Sequence, residues 1–266
     1  MTFGPGSSIR VIGHRGAAGV APENTLPSLR HAVRAGAHAV EFDVQCTSDG
    51  QLVVLHDSTV DRTTDGSGRI DDMPFEEARR LDAGYRFTSN GGGAFPFRAR
   101  GVRIPTLTEA FAEIGDDIPV VMEIKSQRAA ERLPGWLSEH DVAARTLVGS
   151  FSRRALEPAA PYASWRCASE EELRSYVLLG KVGLAGASVP DADAVMVPER
   201  RRGIRIVTPR FVRRAHRDGL GVFVWTVNRP DAMRRLWDWG VDGLISNEPG
   251  RALRILRERI VAGAEG

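Results

Sequence analysis

Three polar clusters stand at the ends of apolar runs within the first 57 residues of this 266-residue chain. They are His14-Arg15-Gly16, Glu41-Phe42-Asp43-Val44, and His56-Asp57, which follows the apolar run Leu52-Val53-Val54-Leu55. Each cluster places ionisable side chains beside a segment with the composition of a buried strand. Because burying charge is costly unless it is paired or binds a metal, this pattern predicts a catalytic metal site.

Two carboxylates, Glu41 and Asp43, lie two positions apart on a predicted strand, so their side chains share a face. A third acid, Glu123, ends the apolar run Val120-Val121-Met122 in the same way. Three hard oxygen ligands suit Mg²⁺ or Ca²⁺ better than zinc, which prefers histidine and cysteine. The alternative is that one acid pairs with an arginine, because arginine supplies all but two of the 36 Lys and Arg residues. We predict that Glu41, Asp43 and Glu123 hold a divalent metal.

Two of the six histidines, His14 and His56, stand at predicted strand edges on either side of the carboxylate pair. Cleaving a phosphodiester requires one group that takes a proton from the nucleophile and another that protonates the leaving alkoxide. Histidine performs both tasks near neutral pH. We therefore predict His14 as the base and His56 as the acid. The remaining histidines fall in helical or loop patterns and are predicted to lie at the surface: His31, His38, His140 and His216.

Three further side chains are predicted to bind the substrate. Arg15 offers a bidentate pair of donors to a phosphate, and Gly16 lets the backbone approach closely. Lys125 shares a face with Glu123, and its compact ammonium suits a crowded metal site and neutralises a phosphate oxygen. Trp225, at the end of the seventh predicted strand, is either a core residue or an apolar wall of the substrate site, and we favour the wall.

The segment Pro22-Glu23-Asn24-Thr25 precedes the first helical pattern. Asn24 or Thr25 is predicted as the N-cap, because both side chains accept hydrogen bonds from the free N–H groups of a helix start. Glu23 either belongs to this helix start or orients a catalytic histidine.

Eight short apolar runs alternate with eight helical patterns along the chain. Several runs are apolar on both faces, which is typical of parallel strands covered by helices. Eight alternations favour an α/β fold of the (β/α)₈ TIM-barrel type over an open sheet. The predicted strands are Val11–Ile12, Ala39–Val44, Pro119–Ile124, Thr146–Gly149, Trp165–Ala168, Ala194–Val197, Gly221–Thr226 and Gly243–Ser246. The predicted helices are Leu26–Ala35, Leu107–Ile114, Ala129–Glu139, Arg153–Ala160, Glu170–Leu179, Pro209–Arg217, Pro230–Trp239 and Pro249–Arg259, and the last three begin with proline.

One stretch, residues 58–103, breaks this alternation. It contains two Gly-rich segments typical of turns and one short helical pattern, Phe75–Leu81. We predict a single TIM-barrel domain over residues 1–266, with 58–103 inserted after the second strand region as a cap over the active site. A decorative surface loop is the alternative.

Composition narrows the class of protein. The net charge of +2 is too small to favour nucleic acid as a partner, although the pI near 8.8 is compatible with a small anionic substrate. Cys46 and Cys167 form no disulfide framework and are predicted to be buried and reduced. Neither a signal peptide nor an apolar run of the ~20 residues needed to span a bilayer is present, so we expect a cytoplasmic protein. The oligomeric state stays open.

The motifs from Ile9 to Pro249 together resemble the glycerophosphodiester phosphodiesterase family. The most specific segments are Glu41–Gly50, Val53–Asp57 and Arg103–Leu107. The resemblance implies a TIM barrel that hydrolyses glycerophosphodiesters to glycerol 3-phosphate and an alcohol with a divalent metal, Mg²⁺ or Ca²⁺. It implies metal ligands at Glu41, Asp43 and Glu123, an acid–base pair at His14 and His56, phosphate contacts from Arg15 and Lys125, and a substrate wall at Trp225. Asn247 stands where many members carry Asp.

Three alternatives are considered beside this family. Sphingomyelinase D relatives share a similar strand and two histidines, but this chain lacks their cysteine-rich loop. Phosphatidylinositol-specific phospholipase C enzymes use a related barrel, but three carboxylates fit the glycerophosphodiesterases better. A non-catalytic barrel that binds glycerophosphodiesters would not need two histidines. The alcohol head group, the choice of metal, and attack by water or by a substrate hydroxyl through a cyclic phosphate all stay open.

Overall fold

Strands and helices alternate along the chain. The structure is a computed structural model and describes residues 3–89, 91–181 and 188–264. The strands in these ranges are β1 (Val11–Gly13), β2 (Ala39–Cys46), β3 (Leu52–Val54), β4 (Val120–Ile124), β5 (Thr146–Gly149), β6 (Trp165–Arg166), β7 (Ala194–Pro198), β8 (Arg200–Arg201), β9 (Ile204–Arg205), β10 (Gly221–Trp225) and β11 (Gly243–Ser246). The helices are α1 (Leu26–Ala35), α2 (Phe75–Ala78), α3 (Leu107–Ile114), α4 (Gln127–Glu139), α5 (Arg153–Leu156), α6 (Glu170–Lys181), α7 (Pro209–Arg217), α8 (Pro230–Asp238) and α9 (Pro249–Ala264).

Eight strands of the described ranges run parallel and lie side by side in the order β6-β5-β4-β2-β1-β11-β10-β7. The two ends of this order meet at a parallel bridge between Cys167, which follows β6, and Ala194 of β7. The strands therefore surround a common interior, and helices connect each strand to the next along the chain. The predicted α/β fold, a (β/α)₈ TIM barrel, is confirmed.

Apolar side chains fill the barrel interior. Ile12, Val121, Leu147 and Phe223 are buried there, each on a different strand. Phe3 packs edge-on against Phe223, with ring centroids 5.8 Å apart. Burying one large apolar side chain contributes about 1.5–3 kcal/mol, so a filled interior holds the strand ends in fixed positions.

Helix boundaries follow local sequence signals. Thr106 and Glu109 form a reciprocal capping box at the start of α3. The α1 helix ends at Gly36, whose φ of 83° is the left-handed conformation that glycine adopts most easily. Proline begins α7, α8 and α9, as predicted.

Three predicted elements end at least two residues earlier than expected. The helix predicted over Arg153–Ala160 stops at Leu156, because Pro158 has no backbone N–H to donate to the preceding turn. The strand predicted over Trp165–Ala168 is β6 alone, and Cys167 continues it only as a bridge. The pattern Phe75–Leu81 is helical to Ala78 and then continues with i→i−3 hydrogen bonds.

The inserted segment, residues 58–103, follows the short strand β3, which pairs antiparallel with the end of β2. Its side chains Val60, Ile70 and Met73 pack on Val53 and Leu55 as a cluster separate from the barrel interior. The segment is therefore anchored at the carboxyl end of β2 by its own small core.

Of the four histidines predicted at the surface, only His31 is exposed. His216 pairs through Nε2 with Oδ2 of Asp242 at 2.7 Å, and Asp242 is 1% exposed. His38 accepts a hydrogen bond from the backbone of Val11, and His140 stacks on Trp136. These three are partly exposed and also have partners, which helical spacing does not show.

Cys46 and Cys167 are buried and unbridged, in agreement with the prediction. Within the described residues, no helix is both long enough and apolar enough to cross a membrane.

Candidate active site

The predicted site residues meet at the carboxyl ends of the barrel strands. Seven of the eight line one cavity of about 470 Å³: His14, Arg15, Glu41, His56, Glu123, Lys125 and Trp225. The eighth, Asp43, lies beneath the cavity and is 1% exposed. Active sites of TIM barrels lie at this face, where loops after different strands converge.

The three acids form one cluster. Glu41, Asp43 and Glu123 each place a carboxylate oxygen within 4.8 Å of the others. Strand pairing explains this proximity, since Asp43 of β2 is the direct neighbour of Glu123 of β4. These three are the residues predicted to hold a metal, and the cluster is able to bind one.

The cluster carries more negative charge than its surroundings balance. Burial raises the pKa of Glu41 well above its ordinary value, and the nearby carboxylates of Asp43 and Glu123 raise it further. Burial also raises the pKa of Glu123, although Lys125 opposes the shift. Oδ1 of Asp43 is buried, and the ammonium of Lys125 is its charged neighbour at 3.0 Å. Within the described residues, three acids beside only two cationic side chains form an all-oxygen set that fits a hard divalent cation.

Two cationic side chains flank the acids. Nζ of Lys125 lies 3.0 Å from Oδ1 of Asp43 and 2.5 Å from Oε1 of Glu123. Nε of Arg15 lies 3.3 Å from Oδ2 of Asp43. Both cations therefore stand beside the acid cluster and on the wall of the cavity.

The backbone at Arg15 is strained. Its φ of 49° is in the left-handed region, which costs a non-glycine residue about 1–2 kcal/mol. The conformation is supported by the N–H of Arg15, which donates to Oε2 of Glu41 at 2.7 Å, and by its carbonyl, which accepts from Oγ of Ser28. Gly16 follows with φ 83°, and a Cβ there would lie 2.5 Å from the backbone of Ser28. Strain held by several contacts is typical of functional sites.

His14 is held as a neutral ring. Its Nδ1–H donates to Oδ1 of Asn247 at 2.6 Å, which leaves Nε2 as an acceptor. Burial lowers the pKa of His14, and the positive charge of Arg15 lowers it further. The ring is therefore suited to accept a proton near neutral pH.

His56 has a carboxylate partner instead. Its Nδ1 lies 2.6 Å from Oδ1 of Asp57, and Oδ2 of Asp57 accepts from Nε of Arg62 at 2.5 Å. Arg62 also donates to both oxygens of Glu23, at 2.6 and 2.8 Å. Glu23 accepts from Nη1 of Arg15 at 2.7 Å, so this chain of charges joins both sides of the site.

Thr25, one of the two residues predicted, is the N-cap of α1. Its side chain makes no capping bond, which differs from the prediction. Asn24 instead donates to Oδ2 of Asp43 at 2.7 Å, and the backbone N–H of Asp43 donates back to it at 3.2 Å. Among the described residues Glu23 bonds to arginines and to no histidine. The buried carboxylate outcompetes the helix start for the Asn24 side chain because its desolvation is more costly.

Sequence reasoning missed the contacts of Asn24, Asp57 and Asn247 with predicted site residues. It also missed Arg62, which bonds to Asp57 and Glu23. Asp57 follows His56 directly, and a carboxylate beside a histidine is a usable signal. Arg62 and Asn247 carry no such signal, because only the fold brings their segments to the site.

Trp225 is partly exposed and meets Phe151 edge-on, with ring centroids 6.1 Å apart. Both rings line the cavity together with Met196 and Leu173. Trp225 therefore lies on the cavity wall and also packs against the apolar cluster of the barrel interior.

A (β/α)₈ barrel with an acid cluster, two histidines and two cations at one mouth defines a barrel hydrolase for anionic substrates. A sequence profile of the glycerophosphoryl diester phosphodiesterase family matches residues 14–251. The chain belongs to this family and is a phosphoric diester hydrolase. The resemblance read from the sequence is confirmed.

Curated relatives agree with the profile. The chain is 34% identical over 260 residues to a glycerophosphodiester phosphodiesterase of Caldanaerobacter subterraneus, covering 93% of this chain and 98% of the relative. It is 31% identical to a glycerophosphodiester phosphodiesterase of Bacillus subtilis, covering 91% and 84%.

Solved structures share the fold. An Oleispira antarctica phosphodiesterase in complex with the product sn-glycerol-3-phosphate has a TM-score of 0.75 and 26% identity, covering 93% of this chain and 96% of that one. The glycerophosphoryl diester phosphodiesterase domain of a Mycobacterium tuberculosis protein has a TM-score of 0.82 and 22% identity, covering 93% and 99%.

The charge network at Glu23 gives a pH-dependent stability. Burial opposes ionisation of Glu23, but Arg62 and Arg15 outweigh it and lower its pKa from 4.5 to about 2. A lowered folded-state pKa stabilises the protein above pH 4.5, and this contribution is lost as the pH falls towards 2. Glu23→Gln should therefore lower the free energy of unfolding by about 3 kcal/mol at neutral pH, and by less in acid.

Urea unfolding at neutral pH and near pH 3 measures the difference. Glu258→Gln is the control, because its ion pair with Arg234 is half exposed and contributes at most about 1 kcal/mol. An equal loss for Glu23→Gln at both pH values would contradict the role of the network.

Proposed function

We propose that this protein hydrolyses glycerophosphodiesters to glycerol 3-phosphate and an alcohol, with a divalent metal and a pair of histidines. The main support is that His14 and His56 line the same cavity as Glu41 and Glu123 of the acid cluster. In addition, the Nδ1 atom of each ring lies within hydrogen-bond distance of a neighbouring oxygen. Support also comes from the Oleispira antarctica relative, whose structure holds sn-glycerol-3-phosphate.

Glu41, Asp43 and Glu123 would hold the divalent metal, and their oxygen donors suit Mg²⁺ and Ca²⁺ alike. Such an ion neutralises charge on the phosphate and lowers the pKa of the attacking hydroxyl. Arg15 and Lys125 bind the phosphate oxygens from the cavity wall. Trp225 supplies an apolar surface for the glycerol carbons.

His14 acts as the base. Its neutral ring takes a proton at Nε2 from the nucleophile, which is either water or the glycerol hydroxyl of the substrate. Asn247 fixes the orientation by accepting from Nδ1–H. Burial and the positive charge of Arg15 lower the pKa of His14, and they outweigh the hydrogen bond to Asn247, which raises it.

His56 acts as the acid. Oxygen attacks phosphorus, the ester bond from phosphorus to the leaving alcohol breaks, and the departing alkoxide takes a proton from Nε2 of His56. The carboxylate of Asp57 at Nδ1 supports the positively charged ring that donates this proton. His14, the base, thus bonds to an uncharged amide, and His56, the acid, bonds to a carboxylate.

The inserted segment stays a proposed cap. Of its described residues between 58 and 103, none lines the cavity, and Arg62 joins the network behind His56. We propose that the segment acts on the site through Arg62 and Asp57.

We also propose that residues 1–266 form a single domain, that the protein is cytoplasmic, and that it has no nucleic-acid partner.

Metal removal tests the acid cluster. Exhaustive chelation should abolish turnover of a glycerophosphodiester, since the clustered carboxylates then lack a counterion and repel the phosphate. Addition of Mg²⁺ or Ca²⁺ should restore it, and the release of glycerol 3-phosphate measures both steps. Full activity after chelation would contradict the metal proposal.

Substrates with different leaving groups distinguish the role of His14 as base from that of His56 as acid. Loss of either general catalyst typically costs ~10²–10⁴-fold in rate. A p-nitrophenyl phosphodiester needs little protonation of its leaving group, so it should largely rescue His56→Ala and leave His14→Ala impaired. Measured kcat values for both substrates decide this, and rescue of His14→Ala alone would reverse the assignment.

Asn247 sets the working pH of the base. In Asn247→Asp a carboxylate faces Nδ1 of His14 and raises the pKa of the ring by about one unit. Because the base must be unprotonated, the acidic limb of the kcat/KM profile should move to higher pH by the same amount. The neighbouring change Glu248→Gln, whose side chain pairs with Arg251 at 2.9 Å, should leave the profile in place. An unchanged limb in Asn247→Asp would contradict His14 as the base.

A further inference from the structure

A hairpin rich in arginine lies across the cavity from the acid cluster. It consists of β8 and β9, which pair antiparallel directly after the barrel strand β7. Arg200, Arg201 and Arg202 line the cavity. Around the barrel, three strands separate β7 from β2 in either direction. The hairpin therefore follows the strand that lies opposite β2, which carries Glu41.

The turn of the hairpin holds an arginine in a strained conformation. Arg202 has φ 48° and Gly203 has φ 79°, the two positive values that a two-residue turn of this kind requires. Asn or Asp usually takes the first of these positions, because a longer side chain is disfavoured there. A strained residue of this type at a cavity wall points to a binding role.

The positive charge of the hairpin is only partly neutralised. Arg201 pairs with Glu170 at 2.7 Å. Arg200 donates to the carbonyl of Gly203 at 3.1 Å. Within the described parts of the chain, neither Arg200 nor Arg202 forms an ion pair with a carboxylate. Two guanidinium groups on this wall are therefore available to an anion.

Apolar side chains also line the cavity, among them Leu173, Met196 and Phe151. The carbon atoms of a substrate whose phosphate is bound at the acid cluster would contact these side chains on the way to the arginines. Guanidinium groups bind phosphate and carboxylate oxygens with well-defined geometry, so the far end of the substrate should be anionic.

We propose that the preferred substrate is a glycerophosphodiester whose leaving alcohol carries a second anionic group, a phosphate or a carboxylate, bound by Arg200 and Arg202. The inference rests on the proposed function and adds the chemical class of the leaving alcohol. Cationic alcohols such as choline face repulsion at the same wall.

The test compares substrates that differ only in the end of the alcohol. These are glycerophosphoglycerol, its terminally phosphorylated form, and the glyceric acid analogue with a terminal carboxylate, all at saturating Mg²⁺. The unmodified enzyme should prefer one or both anionic substrates in kcat/KM by roughly tenfold, because each exposed charge contributes a factor of about two to five. The preference should lie in KM and shrink as salt is added.

The double variant Arg200→Gln/Arg202→Gln should lose this preference and keep its kcat/KM for glycerophosphoglycerol. Arg205→Gln is the matched control, since Arg205 lies on the same hairpin but outside the cavity lining and stacks over Trp239. Equal kcat/KM for all three substrates, or an equal loss on all of them in the double variant, would overturn the proposal.

Binding measurements separate this proposal from the proposed function. If no diester is turned over, the proposed function fails, and calorimetric binding of the same three compounds still decides the anionic subsite. Tighter binding of the anionic forms that the double variant abolishes would support the subsite. Equal binding of charged and uncharged forms would overturn it.

Discussion

Repulsion among three clustered carboxylates, two of them buried, is the constraint on which the rest of the site depends. The pairing of β2 with β4 places Asp43 directly beside Glu123, and Glu41 is two residues away on the same face. Like charges in a buried cluster are stable only when protons or cations balance them. Lys125, Arg15 and Asn24 surround Asp43 for this reason, and a divalent cation would complete the balance.

The two histidines have different partners. Burial and the positive charge of Arg15 lower the pKa of His14, whose Nδ1–H donates to the uncharged amide of Asn247. His56 bonds to a carboxylate that an arginine in turn orients. Groups of the same type with opposite surroundings are a common way to separate a base from an acid. The strained turn at Arg15 connects the two groups of residues, because it places the guanidinium against Asp43 of the acid cluster and against Glu23, which pairs with Arg62 near His56.

The alternation of apolar runs and helical patterns was sufficient to predict the barrel, and strand-edge polarity indicated side chains that the fold brings together at one barrel mouth. Glu41 and Asp43 could be placed on one face from their spacing alone. The contact of Asn247 with His14 could not be predicted, because 233 positions separate the two residues in the sequence. Arg62 lies five positions after Asp57, but its bonds to Glu23, 39 positions away, depend on the fold. The bond of Asn24 to Asp43 was not predicted, because a capping residue and a carboxylate partner have the same local signature. The ends of α5 and β6 depended on Pro158 and on a single bridge.

Calorimetric titration of the metal-free protein with Mg²⁺ or Ca²⁺ tests the central claim, that the acid cluster holds a catalytic cation. The account predicts one binding site per chain in the unmodified protein and loss of that site in Asp43→Asn. Asp57→Asn should retain it, because Asp57 contacts His56 and Arg62 and lies outside the cluster. Equal metal binding by the unmodified protein and Asp43→Asn would contradict the account.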